Sequence, residues 1–202
     1  MIDSRTAISD PYLESPQRFL DASWLESMPY YEMVNTLLKD DPTSPFIAGY
    51  IIESLGLSVV DADLDQDILA LFTIGAQDFQ NFLAVVGGVC GHEKIRQTLR
   101  REEVMAIKAD LGKAGYEFIL NVGWLLRPPP QFTDSEFFMD GLKCLRIGLL
   151  SQHQAIGERL TLKCPRSIVE KIEIPTELDA ARYWRFIMKV FKEYRRWLRS
   201  QR

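Results

Sequence analysis

The final stretch of the chain restricts its fold more than any other. Ala180, Trp184, Ile187, Phe191, Tyr194 and Leu198 recur at spacings of 4, 3, 4, 3 and 4. That period gathers the six side chains on one face of an α-helix and on no face of a strand. Arg182, Arg185, Lys189, Lys192, Arg195, Arg196 and Arg199 occupy the remaining faces, and cations late in a helix suit its negative end. A stripe of this kind must be covered, so the rest of the chain has to supply a core for it to dock on.

Helical punctuation continues upstream. Ser15-Pro16 and Ser44-Pro45 each put a capping residue before a proline at the first helical position, where the missing N–H is harmless. Pro29 is expected to open a helix through Tyr30, Val34, Leu37 and Leu38. Gly56 follows FIAGYIIESL (46–55) as a helix stop. Gly75 separates LDQDILALF from DFQNFLAVV. Residues 92–111 divide near Arg100–Glu102, with Ile95, Leu99, Val104, Ile107 and Leu111 as the expected apolar side and Gly112 as the close. AGYEFILNVGWLL (114–126) is the next helix, and RPPP (127–130) ends it, because consecutive prolines cannot continue one. Thr133-Asp134-Ser135-Glu136 fits a capping box for a helix reaching about Leu150. Thr176, with Asp179 three residues on, starts the last helix.

The expected fold is mainly α, a multi-helix domain over residues 1–202 with a loosely held segment 1–15 and two helical sub-regions divided at 127–130. One ambiguity remains. Leu160, Leu162 and Cys164 alternate, which allows a short β element within 159–174.

With 202 residues, 47% of them hydrophobic, the chain can bury a core of its own. MIDSRTAISD lacks the apolar segment of a secretory leader. FLAVVGGVCG (82–91) is half the ~20 residues a membrane-spanning helix needs. Cys90, Cys144 and Cys164 are odd in number with no CxxC, which suits buried or half-buried free thiols in the cytosol. The net charge of -4 conceals a polarity. Residues 1–80 hold 14 acids against Arg5, Arg18 and Lys39, whereas residues 81–202 hold 14 acids against 21 Lys and Arg. Such a distribution either steers two partners to two ends or neutralises itself internally.

Motifs for chemistry fail on inspection. DADLDQD (61–67) starts like a calcium loop, but Gln66 stands where glycine is required and Phe72 where the bidentate acid belongs. An acidic helix N-terminus explains it better. His92-Glu93 is followed by Arg96 instead of a second histidine, so it is not a zincin motif. His153, the other histidine, has no sequence tie to it, and two His without CxxC make a zinc site improbable. VGGVCG matches neither dinucleotide nor P-loop glycine patterns. No enzyme, cofactor or metal is expected.

Nucleic-acid binding is the rival reading. Lys94, Arg96, Arg100 and Arg101 could touch phosphates, and the helices at 92–111 and 177–202 are basic. Against it stand a pI near 5.3 and the interleaved Glu93, Glu102 and Glu103. The last helix, with Trp184 and Trp197 near its apolar face, could also lie on a membrane surface. Docking on the core is the simpler outcome.

Four stretches resemble the SctK (YscK-type) family of bacterial type III secretion machines. RFLDASWL (18–25) is similar to an early family segment, with Asp21 where histidine is usual. GHEKIRQTLRREEVMAIKADLGKAGYEFIL (91–120) has the family's Gly, Ile-Arg, Leu-Gly and aromatic-rich helix in order. FMDGLKCLRIGLL (138–150) follows the proline break, and RLTLKCP (159–165) precedes the final helix. The likeness covers the chain from about residue 18 onward. It implies a predominantly helical, non-catalytic cytosolic adaptor of the sorting platform. Such an adaptor bridges the cytoplasmic domain of an SctD-type inner-membrane ring protein and an SctQ-type pod protein. On that footing Asp61, Asp63, Asp65 and Asp67 are candidates to face one partner, and Arg195, Arg196 and Arg199 another.

Overall fold

Proline, glycine and a few acidic caps set the helix ends in the computed structural model, which describes residues 14–58, 65–129, 136–152, 154–174 and 178–201. Eleven α-helices and no strand occur among them. In chain order they are α1 (Ala22–Glu26), α2 (Tyr31–Asp40), α3 (Pro45–Leu55), α4 (Gln66–Phe72), α5 (Ala76–Cys90) and α6 (His92–Gln97). Then come α7 (Arg101–Val122), α8 (Phe137–Leu149), α9 (Gln154–Thr161), α10 (Arg166–Val169) and α11 (Ala180–Ser200). They gather into two units, one of residues up to Ala76 plus 153–171, the other of 77–152 plus 172 onward.

Most boundaries follow the punctuation. Pro16 and Pro45 open helices behind Ser15 and Ser44, although neither serine hydroxyl makes the capping bond. Gly56 ends α3 at φ 60°, and the Leu57 N–H reaches back to the Ile52 carbonyl, closing the helix as a left-handed C′ residue does. α4 stops at Phe72 and α5 starts at Ala76, with Gly75 between. α7 breaks at Gly112, where φ 67° and ψ 162° interrupt the helical backbone.

Four expectations need correction. The helix after Pro29 starts two residues later, because Tyr30 takes a left-handed cap at φ 58°. The last helix starts at Ala180, since Asp179 is itself the N-cap and accepts from the Arg182 N–H at 3.0 Å. Leu99 is 90% exposed, because the chain between α6 and α7 turns it away from the side that Ile95 and Leu111 bury. The short β element allowed within 159–174 is absent. Leu160 lies in the last turn of α9, and turns at residues 162–164 bring Leu162 and Cys164 inward. Successive turns thus imitate the period of a strand. Of the proposed capping box, Thr133 to Ser135 fall outside the described residues, and Glu136 occupies the cap position of α8.

In the second unit, α5 is buried on every side from Phe82 to Val89, as a helix apolar all round must be. Its glycines serve close packing. A methyl at Gly87 would lie 1.9 Å from the Phe137 carbonyl oxygen, and one at Gly141 1.8 Å from that of Leu83. α5 and α8 therefore meet backbone to backbone. α11 packs along α8, with Gly148 against the Trp184 backbone. Tyr183, Trp184, Phe186, Ile187, Val190 and Phe191 are buried, each contributing roughly 1.5–3 kcal/mol. Phe82 meets Phe191 at 5.4 Å and Phe118 meets Tyr194 at 5.1 Å, both edge to face.

The first unit is held differently. Met28, Val34, Ile47 and Ile51 form a small core between α1, α2 and α3. Buried and half-buried polar side chains tie the later segment to it. Trp24 Nε1 donates to the Cys164 carbonyl at 2.8 Å. Glu158 accepts from the Ser58 N–H and hydroxyl at 2.6 and 2.9 Å, while Arg159 donates to the Ser58 carbonyl at 2.8 Å. Burial opposes ionisation of Glu158, but the bonds from Ser58 and Gln154 win and hold its carboxyl below the usual range. Lys163 is fully buried, its Nζ donating to the carbonyls of Leu71, Phe72 and Ile74 at the C-terminal end of α4. Those carbonyls lack helical partners, and a cation there also faces the negative end of the helix. Desolvation pulls the ammonium's pKa down to about 8.

Candidate interaction surfaces

The outer side of α11 carries the plainest surface signal. Arg182, Arg185, Lys189, Lys192, Arg196 and Arg199 are exposed at alternating steps of three and four residues, opposite the buried face. They form a basic stripe about 26 Å long at 1.5 Å per residue. Of the three candidate arginines, Arg196 and Arg199 belong to it. Arg196 is held in place by Glu193 at 2.8 Å. Arg195 does not belong, being half-buried with its guanidinium 5.2 Å from the Phe191 ring. The stripe was legible in the sequence. The width of the buried face was not, because Tyr183, Phe186 and Val190 fall between the residues of the simplest pattern.

Asp61 and Asp63 lie outside the described residues. Asp65 is the N-cap of α4 and accepts from the Asp67 N–H at 2.9 Å. Asp67 is half-buried in the first turn. These two acids thus do the structural work expected of an acidic helix start.

The basic residues of 92–101 line or flank a cleft in the second unit. It encloses about 1070 Å³ and is bordered by His92, Lys94, Arg100, Trp124, Arg127 and Asp140. Both signs of charge face it, and Arg100 lies 3.6 Å from Glu103. His92 Nδ1 is 3.1 Å from the Val89 carbonyl, so that nitrogen carries the proton. Cys90 also borders the cleft, 3.8 Å from the sulfur of Cys144. Burial and the neighbouring Cys90 push the Cys144 thiol well up, so it is protonated at neutral pH. Burial does the same to Cys164. All three cysteines are free. Among the described residues no three His, Cys, Asp or Glu side chains converge as metal ligands.

The first unit presents a different surface. Tyr30, Met33, Leu37 and Phe46 are 73, 56, 46 and 87% exposed. The sequence places Tyr30, Val34, Leu37 and Leu38 along one helix opened by Pro29. The structure divides these residues, turning only Val34 and Leu38 into the core.

The described residues thus form an all-helical protein whose outer faces carry a basic stripe on α11 and exposed apolar side chains on α2 and α3. No single helix among the described residues is long and apolar enough to cross a membrane. The family model of YOP proteins translocation protein K (YscK) matches residues 11–195 of the 202. The chain belongs to that family, which makes it a type III secretion protein and a component of the secretion system. No curated protein and no solved structure matches the chain.

Proposed function

We propose that the chain is a non-enzymatic cytosolic adaptor of the type III secretion sorting platform. It bridges the cytoplasmic domain of an SctD-type inner-membrane ring protein and an SctQ-type pod protein, and reaches the inner membrane only through such partners. Family membership over residues 11–195 carries this reading. The sorting of surface chemistry supports it: a basic stripe on α11, and an acidic N-terminal region with exposed apolar side chains. Charged surfaces of this kind steer encounter and select partners. The acidic group Asp61, Asp63, Asp65 and Asp67 serves one partner, and the basic end with Arg195, Arg196 and Arg199 another. Asp67 and Arg199 are the informative positions, because Asp65 caps a helix and Arg195 packs on a ring.

A pull-down from native bacterial lysate tests the reading, with nuclease added and at moderate and high salt. Recovery of an inner-membrane ring component and a pod protein, unchanged by nuclease, is the expected result. Recovery of nucleic acid alone, or partners lost on nuclease treatment, overturns it in favour of the basic helices as nucleic-acid elements.

A further inference from the structure

Four large apolar side chains of the first unit have no place in its core. Met33 and Leu37 are four residues apart and so share one side of α2, and Tyr30, the cap just before its first turn, is exposed as well. Phe46 stands in the first turn of α3, which packs against α2 across the short connection 41–44. Isolated exposed apolar residues are ordinary, whereas four large ones on two successive packed helices mark an interaction surface. The charge of this stretch of chain is one-sided. Residues 14–58 hold seven acids against Arg18 and Lys39, and Glu26, Glu32, Asp40, Asp41 and Glu53 are exposed.

We propose that the exposed side of α2 together with Phe46 docks a basic amphipathic helix of a partner protein. Apolar anchors at i, i+3 or i+4 and i+7 of that helix meet Tyr30, Met33, Leu37 and Phe46, and its flanking Lys and Arg meet the acidic rim. This is the helix-on-groove mode of recognition, with apolar contacts supplying affinity and charge selecting the partner. The same rim excludes the other occupants. An anionic lipid surface or a nucleic acid is repelled by the surrounding carboxylates, and so is a second copy applying the same face, which would bring two acidic rims together. The α11 helix of a second copy has matching chemistry, but its apolar side is already buried. The proposal rests on the adaptor reading for the existence of a partner and adds the chemistry of one docking segment.

The test uses the full chain and a fluorescent peptide designed as a helix with leucines at i, i+3, i+4 and i+7 flanked by lysine and arginine. Binding is followed by anisotropy. Two further peptides serve as controls, one scrambled at the same composition and one with glutamate replacing each cation. Binding of the patterned basic peptide alone is expected, weakened at least about tenfold in Leu37→Asp and Phe46→Asp, as removal of an anchor requires. Both positions are exposed, so the helical circular-dichroism spectrum should be unchanged; Phe46→Ala substitutes where it is not. Equal binding of the scrambled peptide, indifference to the substitutions, or no binding overturns the proposal. So does capture of phosphatidylglycerol vesicles through the same residues, or a dimer in sedimentation that Phe46→Asp dissolves. The lysate pull-down separates the two levels. If wild type recovers both platform partners and the doubly substituted chain does too, the docking surface fails and the adaptor stands. If wild type recovers neither while the peptide result holds, the adaptor reading fails and the surface stands.

Discussion

Gly141 and Lys163 each hold a helix in place, by opposite means. At Gly141 the side chain is missing, and α8 presses its backbone onto that of α5. At Lys163 a long charged side chain is sunk out of water to satisfy carbonyls at the end of α4. The unit built on α5, α7, α8 and α11 follows the first rule. It is rich in aromatic contacts and glycine crossings, and its stability lies in shape. The unit built on α1 to α4, α9 and α10 follows the second, with Trp24, Glu158, Arg159 and Lys163 all bonded to or from backbone groups. Short helices with many ends expose many unpaired backbone groups, and buried or half-buried polar side chains answer them. Long helices have few ends and compete instead for closeness.

The comparison breaks most readily at the glycine. Gly141→Val should destabilise the protein by roughly 3 kcal/mol or more, since overpacking here meets a carbonyl oxygen and not a yielding side chain. A fall in Tm of about 6–12 °C is the expected readout. Lys163→Met comes next. It keeps the length but strands the carbonyls of Leu71, Phe72 and Ile74, costing about 1–3 kcal/mol in urea unfolding.

The lysine also gives this region a pH signature that the glycine crossing lacks. Its folded pKa, about 8, is below that of the unfolded chain, so between those values the unfolded state binds more protons. Stability of the wild type should therefore rise from about pH 8 towards pH 10.4, by no more than ~3 kcal/mol, relative to Lys163→Met. A stability difference that stays flat across that range would show that the buried amine does not lose its proton there.

Gly49 sharpens the contrast with the opposite sign. It lies within α3 with no atom near the place of a side chain, so Gly49→Ala should stabilise by about 0.5–1 kcal/mol on thermal melting. Smallest of all, Arg185→Glu with Lys189→Glu on the exposed face of α11 should move stability by less than about 0.5 kcal/mol. The same double substitution should weaken recovery of a platform partner in the pull-down. A large loss of stability would instead mean that the stripe belongs to the fold.

Features that act along the chain were the legible ones. Pro45, Gly56, Gly112 and the stripe of α11 declare helix ends and faces within a few residues of themselves. Features that act across the chain were not. VGGVCG gives no hint in sequence that Gly87 will meet the backbone of Phe137. RLTLKCP alternates like a strand, and nothing local tells that Arg159 and Lys163 are drawn inward by carbonyls 101 and 91 residues upstream, respectively. The candidate surfaces divide in the same way. The basic stripe could be found by counting, whereas the exposed side of α2 could not, because its apolar residues follow one another in the chain with no local sign of which turn inward. Only the geometry of α2 against α3 separates Val34 and Leu38 from Met33 and Leu37.

The bond from Lys163 to the Phe72 carbonyl spans 91 residues, and that separation matters on the ribosome. At roughly 5–20 residues per second, the end of α4 emerges several seconds before the lysine that completes it. During that interval water or a chaperone must serve those carbonyls. The first unit of the chain to begin synthesis is therefore not finished until α9 and α10 have left the exit tunnel, after most of the second unit has already appeared.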